Sequence, residues 1–344
     1  MARDDQRRRR LISRGRRLPT WRVPSGPAGA ITDVPGVLVG HATVTDPSRG
    51  VATGVTVIVP PDVEVRALPA AVHVINGYGK SAGLMQVDEL GTLESVIAMS
   101  SVFAVPSIQS ALLRRRLSRE PDVGGASGGR SVNLVVLECN DAHLNDPRQY
   151  TCGEGELTTA LTQARGGAVP EGTFGAGTGM STFGLGGGFG TASRVLETQQ
   201  GRHHLGVALV SNFGLWGDLT VGGELVQQPA GAAVGHEPPG SVVVVVATDA
   251  PFSSDVLRRV AVRVQNGLAR TGCVTAHGSG ELVVAFSTSR SPEADLDPAL
   301  LNLSFRAVAE AVEEAVLSGL LHAEPVTGRE GRRLPTLTEL LRTP

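Results

Sequence analysis

Short apolar runs separated by glycine and proline dominate the pattern of hydrophobic and polar positions along this chain. A continuous apolar run bounded by turn residues is typical of a buried strand, because both faces of such a strand contact protein. The predicted strands lie within 30–44, 52–61, 70–83, 131–141, 203–214, 241–251 and 277–288. The most apolar of them contains five consecutive valines and directly follows the sequence EPPGS.

Helical periodicity appears between these strands. Apolar residues recur on one side of 106–117, 153–165, 253–271 and 300–323, and a serine at the start of the third segment is suited to cap its helix. Strands that alternate with helices, without a low-complexity linker, predict a single α/β domain. We expect two packed sheets covered by helices.

The glycine-rich segment 172–196 could be mistaken for a phosphate-binding loop. It lacks the Gly-Lys-Ser/Thr ending of a Walker loop, and the strand-to-helix context of a dinucleotide fingerprint does not surround it. We therefore expect glycine-rich strands and a hairpin in this segment, and no nucleotide or other cofactor.

Composition favours a loop-rich β framework over a helical bundle. The 344 residues include 44 Gly but only 8 Phe, 2 Trp and 2 Tyr, and glycine permits tight turns and close backbone approaches. The formal net charge of −2 gives no indication of a nucleic-acid partner.

The three cysteines, Cys139, Cys152 and Cys273, are widely spaced and form no CxxC pair. An odd number of cysteines without a disulfide ladder is typical of a reducing cytoplasm. No histidine lies at a spacing that would complete a metal site with them. We therefore expect neither a disulfide nor a metal ion, and a cytoplasmic location.

A basic segment, 1–23, precedes the first predicted strand. Its arginines at 7–10 could contact RNA or a membrane surface, but a flexible, solvated tail is the simpler interpretation. The segment lacks the apolar core of a signal peptide, and no apolar run approaches the roughly 20 residues needed to cross a bilayer. We expect this tail to be followed by one domain, 24–344, with no nucleic-acid or membrane partner.

Gly240 and Ser241 lie between a proline-rich loop and the five-valine strand. Taken alone, a serine at this boundary is an ordinary loop residue. Ser279 and Glu281 stand two positions apart at the start of another predicted strand, so both side chains would project from the same face. Taken alone, this pair is explained by a Gly-Ser-Gly turn followed by a solvent-facing glutamate.

Nine segments found in order from about residue 24 to about residue 290 change these interpretations. They are ITDVPGVLVGHATV, GVTVIVP, NGYGKSAGL, ELGTLES, ECNDAHLND, GAGTGMSTFGLGGGFGTASR, SNFG, GSVVVVVATDAP and LARTGCVTAHGSGELVVAFST. Together they resemble the DmpA-type aminopeptidases, also called L-aminopeptidase/D-esterases or P1-family serine peptidases. The resemblance implies a four-layer αββα sandwich, similar to that of the ornithine acetyltransferases, and no cofactor.

The resemblance also implies a precursor that cuts its own chain between Gly240 and Ser241. The products would be an α chain, 1–240, and a β chain, 241–344, which assemble as homo-oligomers of cleaved units. Ser241 would then be an N-terminal nucleophile. A free α-amine has a reference pKa of about 7.7–8.0, so the amine of Ser241 could serve as the base for its own hydroxyl.

Further site residues follow from the same resemblance. Asn212 matches the oxyanion donor, while Ser279 and Glu281 match the residues that orient the terminal amine and hydroxyl. Two positions depart from the family pattern: His143 stands where an aromatic residue, usually Tyr, is common, and Lys80 stands where Glu is common. We assign both to substrate binding, and Lys80 indicates a substrate with an acidic or uncharged group.

Three functions remain open from the sequence. The first is an aminopeptidase or amidase that releases N-terminal amino acids from short peptides, amides or esters, of undetermined L, D or β configuration. The second is an acyltransferase of the same fold that passes the acyl group to an amine. Since those transferases use an N-terminal Thr, Ser241 counts against it. The third is an uncleaved binding protein without activity, against which the retained Gly-Ser, Ser279 and Glu281 argue.

Overall fold

The computed structural model describes residues 19–126, 129–199, 201–226, 240–289 and 297–342. Most of the predicted tail, and the prolines before Gly240, lie outside these residues. Residues 19–23 are described: the Trp21 indole donates to Glu313, and the Val23 N–H donates to Glu310 at 3.0 Å. The part of the chain packed on the domain therefore begins before residue 24.

Fourteen strands are found in the described residues. They are β1 Leu38–Asp46, β2 Val51–Val59, β3 Leu68–Gly77, β4 Thr92–Leu93, β5 Ile97–Ser101, β6 Val135–Cys139, β7 Ser181–Thr182, β8 Leu185–Gly186, β9 Phe189–Thr198, β10 Gly201–Asn212, β11 Thr220–Val221, β12 Glu224–Leu225, β13 Ser241–Thr248 and β14 Gly280–Ser287. The first sheet has the order β1-β2-β5-β6, and the second has the order β4-β3-β14-β13-β10-β9. β7 with β8, and β11 with β12, form separate two-stranded ribbons.

Seven α-helices cover the two sheets in the described residues. They are α1 Leu84–Leu90, α2 Val105–Arg119, α3 Glu154–Thr162, α4 Ser254–Val262, α5 Val264–Ala269, α6 Pro298–Leu321 and α7 Leu337–Arg342. Helices α2 and α3 pack on the first sheet, and α4, α5 and α6 pack on the second. The predicted four-layer αββα arrangement is confirmed.

The five-valine strand lies near the centre of the second sheet, between β10 and β14. Its side chains alternate between two cores: Val243 and Val245 face the first sheet, whereas Val242 and Val244 face the helices. A strand buried on both faces needs apolar residues at every position, which explains the uninterrupted valine run.

The sequence predicted one helix over 253–271, but the structure divides it into α4 and α5. The Arg263 N–H donates to Val260 rather than to the residue four positions back, and this tighter turn separates the two helices. The break allows Gly267 of α5 to approach α6 so closely that a Cβ there would lie 2.6 Å from the Val312 Cβ.

Candidate active site

Ser241 is the first residue of β13, and its side chain points into the space between the sheets. The hydroxyl accepts a hydrogen bond from the backbone N–H of Asn140, at 3.0 Å, which directly follows β6 in the first sheet. Ser241 is only 3% exposed. The serine is therefore held by a contact between the two sheets.

The peptide bond before Ser241 is held at its carbonyl. Gly240 O accepts the backbone N–H of Gly280 at 3.0 Å, as part of the parallel pairing of β13 with β14. A Cβ on Gly240 would lie 3.0 Å from the Ser279 hydroxyl, so Ser279 packs closely against this glycine. The Ser279 hydroxyl is buried and has no hydrogen-bond partner among the described residues. A buried hydroxyl without a partner beside the Gly240–Ser241 bond is available for chemistry at that bond.

Asn212 is the last residue of β10 and pairs with Ser241 of β13. Its side chain approaches the Ser241 hydroxyl. The Asn212 Oδ1 accepts the backbone N–H of Ser181 at 3.0 Å. Because a backbone N–H can only donate, this bond fixes which end of the amide is oxygen. Nδ2 is consequently directed at Ser241 Oγ, at 3.5 Å. The amide presents a donor, not an acceptor, to the Ser241 hydroxyl.

The hairpin of β7 and β8 contacts the chain next to Asn212. Its turn contains Phe183 and Gly184, both with positive φ (54° and 72°), as in the tight turns that join adjacent antiparallel strands. The Phe183 N–H donates to Phe213 O at 2.7 Å, and the two rings pack edge to face. The predicted glycine-rich hairpin is thus present, and it fixes the chain around Asn212.

Glu281 is completely buried in β14 but does not contact Ser241 in this structure. It accepts the Thr275 hydroxyl at 2.9 Å and lies 3.7 Å from the Cys273 sulfur. Alternation along β14 places it on the face of Val283, towards the helices. Among the described residues, the structure has no hydrogen bond between Glu281 and Ser241.

The loop that carries Ser279 is held by Asn76 of β3. The two N–H groups of Asn76 Nδ2 are shared among three carbonyls, those of Ala276 at 3.2 Å, His277 at 3.0 Å and Ser279. Asn76 could not be singled out from the sequence, because its partners lie two hundred residues further along the chain.

The two residues that depart from the family pattern lie on loops beside the site. His143 is exposed, three residues after Asn140, and partial burial with the charge of Arg332 lowers its pKa. The Lys80 ammonium donates to the Tyr78 carbonyl at 2.6 Å and lies 4.4 Å from the centre of the Tyr78 ring. Their assignment to substrate binding stays a prediction.

A buried carboxylate that the sequence analysis did not single out lies next to Lys80. Glu138, in β6, accepts the Lys80 backbone N–H at 2.7 Å and is 3% exposed. Burial raises the pKa of this carboxyl, against the opposing effects of the Lys80 N–H and ammonium. The available signal was a single acidic residue inside the apolar run VVLEC.

Asp141 anchors the loop that contacts Ser241. Its carboxylate accepts the hydroxyls of Thr53 at 2.6 Å and Ser101 at 2.7 Å, and the Asn145 amide at 3.1 Å. Burial raises the pKa of Asp141, while these hydrogen bonds oppose the rise. This network fixes the position of the neighbouring Asn140 N–H.

The described part of the chain contains neither a metal-binding cluster nor a membrane-spanning helix. No cluster of three or more His, Cys, Asp and Glu side chains is arranged to hold a metal ion. None of the helices there combines the length and apolarity that a membrane span requires.

Comparisons with known proteins agree on one family. Residues 29–334 match the model of peptidase family S58. The chain is 32% identical over 342 residues to β-peptidyl aminopeptidase BapA of Sphingosinicella xenopeptidilytica, covering 90% of this chain and 84% of that relative. A crystal structure of a Pyrococcus horikoshii OT3 protein matches with a TM-score of 0.85 and 36% identity, over 95% of this chain and 96% of the other. The L-aminopeptidase D-Ala-esterase/amidase of Ochrobactrum anthropi, whose fold is described as a variant of the Ntn hydrolase fold, matches with a TM-score of 0.84 and 31% identity, over 94% of both chains.

Proposed function

The chain belongs to peptidase family S58, and from this membership we propose that it is a serine aminopeptidase activated by cleavage of its own Gly240–Ser241 bond. The observation that carries the proposal is the placement of the Ser241 hydroxyl at the first residue of a strand, between the Asn140 N–H and the Asn212 amide. A loop serine without a chemical role would not need donors from both sheets.

Self-cleavage would begin with attack of Ser241 Oγ on the carbonyl carbon of Gly240. The Gly280 N–H already bonds this carbonyl oxygen and would stabilise the negative charge that develops on it. The C–N bond then breaks, the Ser241 nitrogen takes up the proton that the hydroxyl has lost, and Gly240 is left as an ester on Oγ. Water hydrolyses the ester, which releases a carboxylate at Gly240 and a free amine at Ser241.

The new terminus supplies both nucleophile and base for turnover. The Ser241 amine removes the hydroxyl proton as Oγ attacks the substrate carbonyl, and Asn212 Nδ2 donates to the oxyanion. The amine returns the proton to the departing amine of the substrate, and water hydrolyses the acyl-enzyme. Ser279 and Glu281 would orient the terminus after cleavage, when the Ser241 nitrogen is no longer held in a peptide bond.

An aminopeptidase also needs a group that binds the amine of its substrate. We assign this role to Glu138, because it is a buried carboxylate two residues from Asn140, whose N–H contacts the nucleophile. Gly79 joins it to the site: a Cβ on Gly79 would lie 3.6 Å from Glu138 Oε1, and a Cβ on Gly280 would lie 2.7 Å from Gly79 N. Lys80 then serves as part of the wall around this carboxylate.

The proposal extends to the substrates, which are short peptides, amino-acid amides or esters. It also extends to the protein itself, as a cytoplasmic homo-oligomer of cleaved units. The three cysteines are free in the structure, which is compatible with a reducing compartment. Water is the proposed acyl acceptor. Adding an amine nucleophile during turnover distinguishes hydrolysis from acyl transfer.

Intact-mass analysis of purified protein, beside the variants Ser241→Ala and Ser118→Ala, tests the proposal. Ser118 is an exposed serine of α2 and serves as the matched control. We expect wild type and Ser118→Ala to separate into fragments that end at Gly240 and begin at Ser241, with aminopeptidase activity. Ser241→Ala should remain one inactive chain. An uncut, active wild-type chain would disprove the mechanism.

A further inference from the structure

A groove of about 470 Å³ runs along the free edge of β1. One wall is the side of α3 that carries Glu156, Thr159 and Gln163, and the other contains Pro170 and Phe174. β1 and β6 lie at opposite edges of the first sheet, three strand spacings or roughly 14 Å apart. Since Ser241 contacts the chain at the end of β6, the groove is separate from the candidate active site.

The backbone of β1 is open to this groove. Val39 exchanges both of its hydrogen bonds with Arg165, at 3.1 and 3.0 Å, on the side away from β2. Because successive residues of a strand direct their N–H and C=O to alternate sides, His41 and Thr43 present theirs in the same direction as Val39. No described residue bonds these backbone groups from that side.

This edge lacks the features that normally prevent strand addition. Residues 38–45 contain neither a charged side chain nor a proline, and their pairing with β2 is regular from end to end. Exposed edges usually carry charges, prolines or bulges that block a further strand. An unprotected edge between two walls is suited to receive one extended segment.

The end of the groove near Val39 determines what that segment can be. Arg165 already occupies the pairing position opposite Val39, so an added chain must stop there. A terminal carboxylate satisfies this condition and would meet the exposed Arg165 side chain, which has no ion pair with any described residue. Glu156 lines the groove as well and comes nine residues earlier, at the start of α3.

His41 lines the groove, and its ring is enclosed by protein. Its Nδ1 lies 2.9 Å from the Thr56 hydroxyl, but its buried Nε2 has no hydrogen-bond partner among the described residues. Burial lowers the pKa of His41 to about 4, against a smaller opposing effect of the Pro170 backbone. The ring is therefore neutral and adds no charge to the groove.

We propose that this groove binds a short extended peptide, antiparallel to β1, with its C-terminal carboxylate at Arg165 and its N-terminus towards Glu156. The peptide would exchange backbone hydrogen bonds with His41 and Thr43, as in other cases of strand addition. Since Arg165 occupies the position opposite Val39, the stretch 40–44 leaves room for about five peptide residues at about 3.3 Å per residue. The assignment does not depend on the function of Ser241.

Calorimetric titration of the uncut Ser241→Ala chain with the tripeptide Val-Thr-Val tests this proposal, because the uncut chain cannot consume the peptide by the proposed mechanism. We expect the free acid to bind about 10-fold more tightly than its C-terminal amide, since the amide loses the charged bond to Arg165. Successive N–H groups of the bound peptide point to opposite sides. Methylation of the peptide nitrogen that faces β1 should therefore weaken binding, whereas methylation of the nitrogen that faces away from β1 should not.

Two further variants in the same background locate the peptide. Arg165→Gln should remove the preference for the acid over the amide, whereas Arg66→Gln, an exposed arginine on the loop after β2, should retain it. No binding at millimolar peptide, or a preference unaffected by Arg165→Gln, would overturn the proposal. So would a dimer that Arg165→Gln dissociates, because the groove would then be an interface between two copies. Failure of self-cleavage in the wild type would leave all of these readouts intact.

Discussion

The orientation of one side-chain amide determines what Asn212 can contribute to catalysis. Ser181 N–H occupies Oδ1, so Nδ2 alone faces the Ser241 hydroxyl. Asn212→Asp keeps the acceptor for Ser181 and replaces the donor with a carboxylate oxygen of the same shape. A lost oxyanion donor lowers kcat by roughly 100- to 1000-fold in comparable sites, and we expect at least this loss, with a smaller change in KM.

Time courses of chain cleavage, followed by turnover measurements on the cleaved fraction, separate an effect of the substitution on self-cleavage from its effect on catalysis. Asn302→Asp, an exposed site on α6, is the matched control. A wild-type kcat in Asn212→Asp would show that the oxyanion is stabilised elsewhere.

The proposed role of Glu138 predicts how kcat/KM depends on pH as well as on the substrate's free amine. Its carboxylate must be ionised to bind an ammonium group, and burial raises its pKa above the usual value for Glu. kcat/KM should therefore fall as the pH is lowered through this raised pKa. Glu138→Gln keeps the acceptor for Lys80 N–H. It should lower kcat/KM about 10-fold or more for substrates with a free amine and remove the part of the acidic limb that belongs to Glu138, leaving the part that belongs to protonation of the Ser241 amine.

The comparison substrate for Glu138→Gln is the same amide without its α-amino group. Wild type and variant should hydrolyse that compound at similar, low rates. An equal loss for both compounds would place Glu138 in a structural role.

At the scale of elements, the sequence predicted most of the long strands, because they are runs of largely apolar residues bounded by glycine and proline. It did not predict β5, nor did it predict β4, β11 or β12, which have two residues each and so leave no periodic pattern. The break between α4 and α5 was also missed. It depends on how closely Gly267 approaches α6, and the segment keeps its helical periodicity across the break.

The candidate site likewise contains some groups that could be identified from the sequence and others that could not. Ser241 and Asn212 could be named from the sequence, and the register of β10 with β13 places them opposite each other. The Asn140 and Gly280 N–H groups belong to the backbone, so no residue type marks them in the sequence. Glu138 and Asp141 acquire a role only through partners that the fold supplies from distant segments, such as Lys80 and Thr53.

At the scale of the whole molecule, a buried ionisable group joins the last helix layer to the second sheet. Glu171 accepts the Thr191 N–H of β9 at 2.9 Å and lies 3.8 Å from His322, which follows α6. Burial raises the pKa of Glu171 to about 7, against the opposing charge of His322, and nearby Glu314 adds to the rise. Between pH 4.5 and about 7, the Glu171 carboxyl is therefore protonated to a greater extent in the folded protein than in the unfolded chain.

The sign of the resulting pH dependence follows from that proton. Between the ordinary value of 4.5 and about 7, the folded state binds more protons at Glu171 than the unfolded state does. Stability from this group is then complete below pH 4.5 and decreases as the pH rises through the window. Glu171→Gln keeps the acceptor for Thr191 and cannot titrate. The melting temperature of this variant, minus that of wild type, should increase with pH across the window. Glu89→Gln, an exposed site on α1, should give a constant difference. A constant difference for Glu171→Gln as well would show that Glu171 is already ionised throughout this range in the folded protein.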